Sequence, residues 1–140
     1  MPTEAVVELE LWFREGVQWQ AAVSQQRVRE RAETLARASP RVEVSIRPIE
    51  RYVPLADCER FSAFETWAES AGVSLSPAFD VRVRPDDDGR GVLVPPVVTM
   101  AVRRDGALAG VYPHADADGH RTVGEALDAL DAELAGEPLP

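Results

Sequence analysis

The loop from His114 to Glu125, with the sequence HADADGHRTVGE, is the segment whose residue types come closest to a metal site. Counted from His114, Asp116, Asp118 and Glu125 occupy the third, fifth and twelfth positions, where the calcium loop of an EF-hand carries oxygen ligands, and Gly119 takes the sixth. Histidine is a poor calcium ligand, however, and the preceding residues predict a strand instead of a helix. The simpler interpretation is a polar loop leading into the last helix. We therefore expect no metal and no cofactor.

Other residues with catalytic potential are sparse. His120 adds a second histidine to the same loop and allows a transition-metal site, but structural zinc usually includes sulfur ligands. Cys58 is the single cysteine, so it cannot form an internal disulfide or perform disulfide exchange through a cysteine pair. No Ser-His-Asp arrangement and no glycine-rich phosphate loop can be singled out. We predict a binding or regulatory protein rather than an enzyme.

One basic segment, Ser24 to Arg41, offers a candidate nucleic-acid surface. Arg27 and Arg31 are four residues apart and would share one helix face. Phosphate contacts would come from this segment, and its candidate residues are Arg27, Arg31, Arg37 and Arg41. The alternative is an ordinary solvated helix carrying an Arg29–Glu33 ion pair.

Composition indicates a soluble, acidic chain. Its 15 cationic residues are all arginine, against 24 acidic residues, which gives a net charge of −9 over 140 residues. High net negative charge without lysine suits a salt-rich cytoplasm, and the lone cysteine fits a reducing compartment. No apolar run approaches the roughly 20 residues that a membrane helix needs. We expect a cytoplasmic protein with one α/β domain over residues 1–135 and a flexible tail over residues 136–140.

Hydrophobic alternation predicts the strands. In VVELELWF, Val7, Leu9, Leu11 and Phe13 share one face and Trp12 takes the other. VEVSI and FDVRVR alternate in the same way, and we expect Pro48 to end the first of these. PDDDGRG reads as a polar turn, and Asp105-Gly106 between two apolar runs predicts a hairpin.

Capping signals and apolar spacing predict three helices. Ser24 is the expected cap of the first, with Val28, Ala32 and Leu35 on its apolar face and Pro40 beyond its end. Capping boxes Ser62–Glu65 and Thr122–Glu125 would begin the second and third helices. Gly72 is the expected end of the second. Two apolar faces follow from the spacing: Phe64, Trp67, Ala68 and Ala71 in the second helix, and Val123, Leu127, Leu130 and Leu134 in the third.

The C-terminal third, PPVVTMAVRRDGALAGVYP followed by TVGEALDALDAEL, resembles the second half of the thioredoxin fold. In that fold a cis-proline precedes the third strand and faces the start of the first helix. The patterns along the chain predict the order β-α-β-α-(β)-β-β-α and a mixed sheet, and the resemblance implies that this sheet is thioredoxin-like. Pro96 would then be cis, the alternative being two trans prolines that end a loop. A redox-inactive module of this kind would dock a protein partner in the cleft beside Pro96, near Gln18 and Trp19.

A longer resemblance spans VELELWF, FETWAESAGVSLSPAF, VLVPPVVTMAV and TVGEALDALDAEL. These segments look like a family of small haloarchaeal proteins catalogued as helix-turn-helix domain proteins. That resemblance implies a DNA-binding transcriptional regulator. The predicted strand from Val42 to Ile46 separates the first two predicted helices, which are therefore not consecutive. At molar salt the Debye length is about 3 Å, so DNA binding there would depend on shape and direct hydrogen bonds.

Overall fold

The fold is described by a computed structural model that covers residues 6–83 and 91–135. Nine strands, three α-helices and one short 3₁₀ helix follow one another in these ranges. In chain order they are β1 (Val7–Arg14), α1 (Trp19–Ala38), β2 (Val42–Ile49), β3 (Val53–Pro54), the 3₁₀ helix (Leu55–Asp57), α2 (Glu59–Ala71), β4 (Asp80–Arg82), β5 (Val92–Val94), β6 (Val98–Arg104), β7 (Ala107–Tyr112), β8 (His114–Asp116), β9 (Gly119–Arg121) and α3 (Val123–Ala135).

The central sheet has four strands in the order β2-β1-β6-β7. β1 pairs in parallel with β2 across the α1 crossover, and antiparallel with β6. β6 continues into β7 through the predicted hairpin, in which Asp105 and Gly106 both have positive φ angles of 52° and 84°. Small antiparallel sheets β3-β5-β4 and β8-β9 complete the strands. The predicted α/β class, with a mixed sheet and three helices, is confirmed.

Two hydrophobic cores lie on the two faces of the central sheet. The core shared by α1 and α3 includes Val7, Leu9 and Leu11 from β1, together with Leu35 and Leu127. The core beneath α2 takes Trp12 from the same strand. Because successive side chains of a strand point to opposite faces, the alternation in β1 supplies both cores. The predicted division of the β1 side chains is confirmed, with Phe13 packed at the margin of the α1–α3 core.

The α2 core is largely aromatic. The Trp12 and Phe64 rings meet edge to face, with centroids 5.8 Å apart, and Phe64 contacts Phe79 in the same way at 6.3 Å. The Arg60 guanidinium covers the Trp12 ring from 4.5 Å. Of the apolar face predicted for α2, Phe64 and Ala68 are buried and Trp67 is half-buried, whereas Ala71 is exposed.

Several predicted helix ends are confirmed. α1 ends at Ala38, just before Pro40, and α2 ends at Ala71, where the C-cap residue Gly72 takes the left-handed conformation with φ 71°. The Thr122–Glu125 capping box is formed, since the Glu125 N–H donates to Thr122 Oγ1 and the Thr122 N–H donates to Glu125 Oε1. Three of the four residues predicted for the α3 stripe are buried and Leu134 is half-buried.

Other predicted ends are wrong. Ser24 lies within α1, which begins at Trp19, and its hydroxyl donates to the Gln20 carbonyl. Ser62 lies within α2, where its carbonyl accepts the Thr66 hydroxyl, so the Ser62–Glu65 capping box does not begin that helix. Tertiary packing extends both helices beyond these local signals.

Two prolines depart from their predicted roles. Pro48 does not end β2, because β2 is an edge strand and its outer side tolerates a residue that cannot donate a hydrogen bond. Pro96 lies just before β6, as expected. The cis peptide bonds of the described residues precede Pro77 and Pro113. The bond before Pro96 is trans, which corrects the cis expectation.

Part of the sequence prediction falls outside the described residues. The predicted strand FDVRVR is represented by β4, which ends at Arg82, and most of the acidic turn after it lies in residues 84–90. The predicted tail, residues 136–140, also lies outside the description. Within the described ranges, no helix combines the length and apolar character needed to span a membrane.

Candidate functional site

A cleft opens where β1 ends and α1 begins. Its volume is about 710 Å³, within the range of small-molecule sites. Most of its walls come from four parts of the chain: the end of β1, the first turns of α1, the segment Pro96–Val98 before β6, and the start of α3. Arg51 and Pro113 complete the lining. The carboxyl ends of the parallel strands of an open α/β sheet are the usual position for a ligand site. We call this site the β1–α1 cleft.

Hydrogen bonds brace the walls of the β1–α1 cleft. The Arg14 N–H donates to the Val97 carbonyl at 3.1 Å, and Arg14 Nη1 donates to the Pro95 carbonyl at 3.0 Å. From α1, Gln25 Nε2 donates to the carbonyls of Arg14 and Val97, each at 3.0 Å. Since both partners of Gln25 are acceptors, the amide nitrogen must face them. The side chain therefore ties α1 to both strand ends.

Two of the three predicted cleft residues come together in the structure. Gln18 and Pro96 both line the β1–α1 cleft. Trp19 lies outside the lining at the start of α1, with 77% of its surface exposed. The pyrrolidine of Pro96 thus faces the beginning of the first helix although its peptide bond is trans.

The cleft is cationic in a protein with net charge −9. Among the described lining residues, the charged side chains are Arg14 and Arg51, and none is Asp or Glu. Arg14 Nε is buried and has no hydrogen-bond partner among the described residues. The first turn of α1 contains no acidic residue and Gln18 forms no side-chain cap, so the positive end of that helix is left uncompensated.

The four predicted nucleic-acid residues are in different environments. Arg27 is exposed, and Arg37 is exposed and donates to Thr34 Oγ1. Arg31 forms an ion pair with Asp128 and also donates to the Gly124 carbonyl, which ties it to α3. Arg41 lies between α1 and β2 and is half-buried. The structure does not gather the four into one exposed face.

The predicted Arg29–Glu33 pair is replaced by a different contact. The Arg29 guanidinium stacks over the Phe13 ring at 5.3 Å from its centroid. This arginine therefore covers the edge of the α1–α3 core, which leaves Arg27 and Arg37 as the more available cations of α1.

In the loop considered as a metal site, the side chains of His114, Asp116 and Glu125 form hydrogen bonds within the protein. Asp116 accepts a hydrogen bond from Arg121 Nε at 2.8 Å, and this bond, with a second from the Asp118 N–H, lowers the pKa of the Asp116 carboxyl. His114 is buried, with Nδ1 2.8 Å from the Val111 carbonyl, and Glu125 caps α3. The described residues include no group of three or more His, Cys, Asp or Glu side chains arranged to hold a metal ion. His114 to Arg121 instead form the β8–β9 hairpin.

A family model described as a helix-turn-helix domain matches residues 2–135. The chain belongs to this helix-turn-helix domain family. The match covers nearly the whole chain, so it includes the central sheet as well as the three helices of this family member. No curated protein matches the chain. No solved structure matches it either.

The helices of this helix-turn-helix family member are not consecutive. Residues 39–58, which include β2 and β3, lie between α1 and α2. These helices also pack on opposite faces of the sheet, because α1 belongs to the core with Leu9 and α2 to the core with Trp12. A helix-turn-helix joins its two helices by a short turn. Within the described residues, α1 and α2 do not form such a pair.

Sequence patterns did not reveal the residues that brace and charge the cleft. Arg14, Gln25 and Arg51 are isolated polar residues at unremarkable spacings, and only the folded chain brings them together. One signal was available for Arg14, since it directly follows an alternating strand, at the sheet edge where ligand sites occur.

Proposed function

We propose that the protein is a non-catalytic, DNA-binding transcriptional regulator. The observation that carries this proposal is the family match over residues 2–135. The electrostatic support comes from α1, where Arg27 and Arg37 are exposed and form no ion pair with a carboxylate among the described residues. Arginine side chains of this kind bind backbone phosphates and set affinity, while base contacts set specificity.

The surface of α1 determines which variants test DNA binding. Arg31 is a poor choice because its removal would also break the contact with Asp128 on α3. Arg27→Ala combined with Arg37→Ala removes two positive charges and leaves this contact intact. Arg47→Ala combined with Arg82→Ala is the control, since both residues are exposed arginines on strands. Arg82 pairs with Asp80, but both belong to β4, so its removal breaks no contact between the described elements.

Fluorescence anisotropy with labelled genomic DNA fragments, repeated over a range of salt concentrations, measures the effect. Removing one arginine that binds a phosphate lowers the slope of log K against log salt by about 1, so the α1 pair should lower it by about 2. The control pair should leave the slope unchanged. Absence of binding at every salt concentration, or an equal fall in slope for both pairs, would contradict the proposal.

A second candidate function is a redox-inactive, thioredoxin-like module that docks a protein partner. It is favoured by the placement of Gln18 and Pro96 in one cleft beside the exposed Trp19. The strand order β2-β1-β6-β7, with β1 and β2 parallel, also supports a thioredoxin-like arrangement. Exposed tryptophans are frequent anchors of protein interfaces.

Photo-crosslinking tests this docking function. A benzoylphenylalanine in place of Gln20, an exposed residue of the cleft lining beside Trp19, should yield a discrete crosslinked product in lysate. The same group in place of Val81, which is exposed on β4, is the control and should not. The Trp19→Ala variant should lose the captured partner. Equal products from both positions would count against docking at the β1–α1 cleft.

A further inference from the structure

We propose that the β1–α1 cleft binds a small-molecule oxyanion, a phosphate or a carboxylate group. An anion site of this kind goes beyond DNA binding. It takes its location from the cleft of the second candidate function, but it concerns the chemistry of the cleft walls and not the exposed Trp19. Binding of a free anion and docking of a protein can therefore be tested separately.

The first support is the charge of the lining. Arg14 and Arg51 are the charged side chains among the described residues that form the cleft, in a chain whose acidic residues exceed its arginines by nine. Arginine presents several N–H donors in a fixed plane, which matches the oxygens of a phosphate or carboxylate. A cleft of about 710 Å³ is large enough for a small organic molecule that carries such a group.

The second support is the state of the Arg14 side chain. Its Nη1 donates to the Pro95 carbonyl, but its Nε is buried without a hydrogen-bond partner among the described residues. Buried donors of native proteins nearly always have a partner, so the orphaned Nε shows that the donors of Arg14 are not all used within the described residues. An anion in the cleft would meet the end of the guanidinium, where Nη2 forms no hydrogen bond with a described residue. The hydrogen bonds from the Arg14 N–H to Val97 and from Gln25 to the Arg14 carbonyl hold the residue in place. An anion would meet a guanidinium that is already positioned.

The third support is the helix end in the same wall. The first intrahelical bond of α1 is donated by the Ala22 N–H to the Gln18 carbonyl, so the preceding N–H groups are not used within the helix. Two of the residues that carry them, Gln20 and Ala21, line the cleft. The start of α3 is different, because Glu125 already caps it. The unused backbone N–H groups therefore lie at the start of α1, in the same cleft as Arg14 and Arg51.

Titration with inorganic phosphate and with acetate, at constant ionic strength set by chloride, tests the proposal. Binding is measured by isothermal calorimetry and by the shifts of backbone amide resonances. Saturable binding of either anion that shifts the amides of Gln20 and Ala21 supports the proposal. The preference between phosphate and acetate then identifies the group that the cleft accepts.

Arg51→Gln is the decisive variant, because Arg51 is exposed and its loss should not affect folding. We expect it to weaken the bound anion about tenfold, as for the loss of one charge-assisted hydrogen bond. Arg47→Gln is the matched control, since it removes an exposed arginine of β2 outside the cleft, and it should leave the affinity unchanged.

Two results would overturn the proposal: no saturable binding of either anion, or equal weakening by Arg51→Gln and Arg47→Gln. Trp19→Ala separates this site from the docking function. It should keep the wild-type anion affinity even if it abolishes crosslinking. Crosslinking that persists in a protein that binds neither anion would leave docking in place and remove the oxyanion site.

Discussion

Replacing Gln25 with methionine should destabilise the protein through the loss of one polar clamp. Methionine keeps the length and helix propensity of glutamine but donates no hydrogen bond. The wild-type amide donates to the carbonyls of Arg14 and Val97, each at 3.0 Å. Each of these two hydrogen bonds contributes about 0.5–1.5 kcal/mol to the free energy of unfolding.

Two features of the structure place the expected loss of stability in the lower part of this energy range. The Val97 carbonyl keeps the Arg14 N–H as a partner, and Gln25 is only half-buried, so water can replace part of the hydrogen bonding that the variant removes. We therefore expect the free energy of unfolding to fall by about 1–2 kcal/mol. For a chain of this length, the midpoint of thermal unfolding should fall by roughly 3–6 °C.

Urea unfolding followed by circular dichroism measures the change. The dependence of the unfolding free energy on urea should be unaltered, since the variant removes two hydrogen bonds without changing the surface exposed on unfolding. Gln26→Met is the control, because the neighbouring Gln26 is exposed and bonds to Glu30 of the same helix. If both variants lose the same stability, or if Gln25→Met loses none, the clamp does not join α1 to the sheet as described.

Three further predictions concern α3 and its contacts. Thr122→Ala should lower the free energy of unfolding by about 1 kcal/mol, because the capping box with Glu125 is lost, and urea unfolding would show it. Leu127→Ala, at a fully buried position, should lower the free energy of unfolding by about 2–5 kcal/mol in the same assay. The Arg104 guanidinium donates two hydrogen bonds to Glu133 and lowers the pKa of that carboxyl. The depressed pKa means that the pair stabilises the fold above the unfolded-state pKa of Glu133 and loses this contribution as pH falls through the folded-state value. Arg104→Gln should raise the Glu133 pKa in an NMR titration, and an unchanged value would contradict the ion pair.

Patterns within one element predicted the sheet well. In β1, strict alternation separated Leu9 and Leu11 from Trp12, and the structure places them in two different cores. The Asp105-Gly106 turn was equally predictable, because few residues tolerate the positive φ angles that it requires. These features depend on neighbours in sequence, and local rules describe them adequately.

Helix starts and the cleft depend on distant parts of the chain. α1 begins five residues before Ser24, at Trp19, without a side-chain cap. Its first turns are held instead by Gln25, which reaches Val97 across more than seventy residues of sequence. Arg14 and Arg51 follow the neighbouring ends of β1 and β2 and enter the same cleft, although their positions in the sequence give no sign of it. The resemblance to the thioredoxin fold predicted a cleft beside Pro96 and Gln18, but the arginines of the cleft could be recognised only in the folded chain.

The placement of the helices limits the form that the proposed DNA binding can take. A helix-turn-helix sets one helix across the backbone while its neighbour enters the major groove. Here α1 and α2 lie on opposite faces of the central sheet, so they cannot approach one groove together. The phosphate contacts proposed above would then come from α1, which offers Arg27 and Arg37, because α3 packs on the same face of the sheet but carries no arginine. Phosphate contacts from two arginines predict a shallow dependence of affinity on salt. The slope of log K against log salt should have a magnitude of about 2. A much steeper dependence would require cations from outside α1.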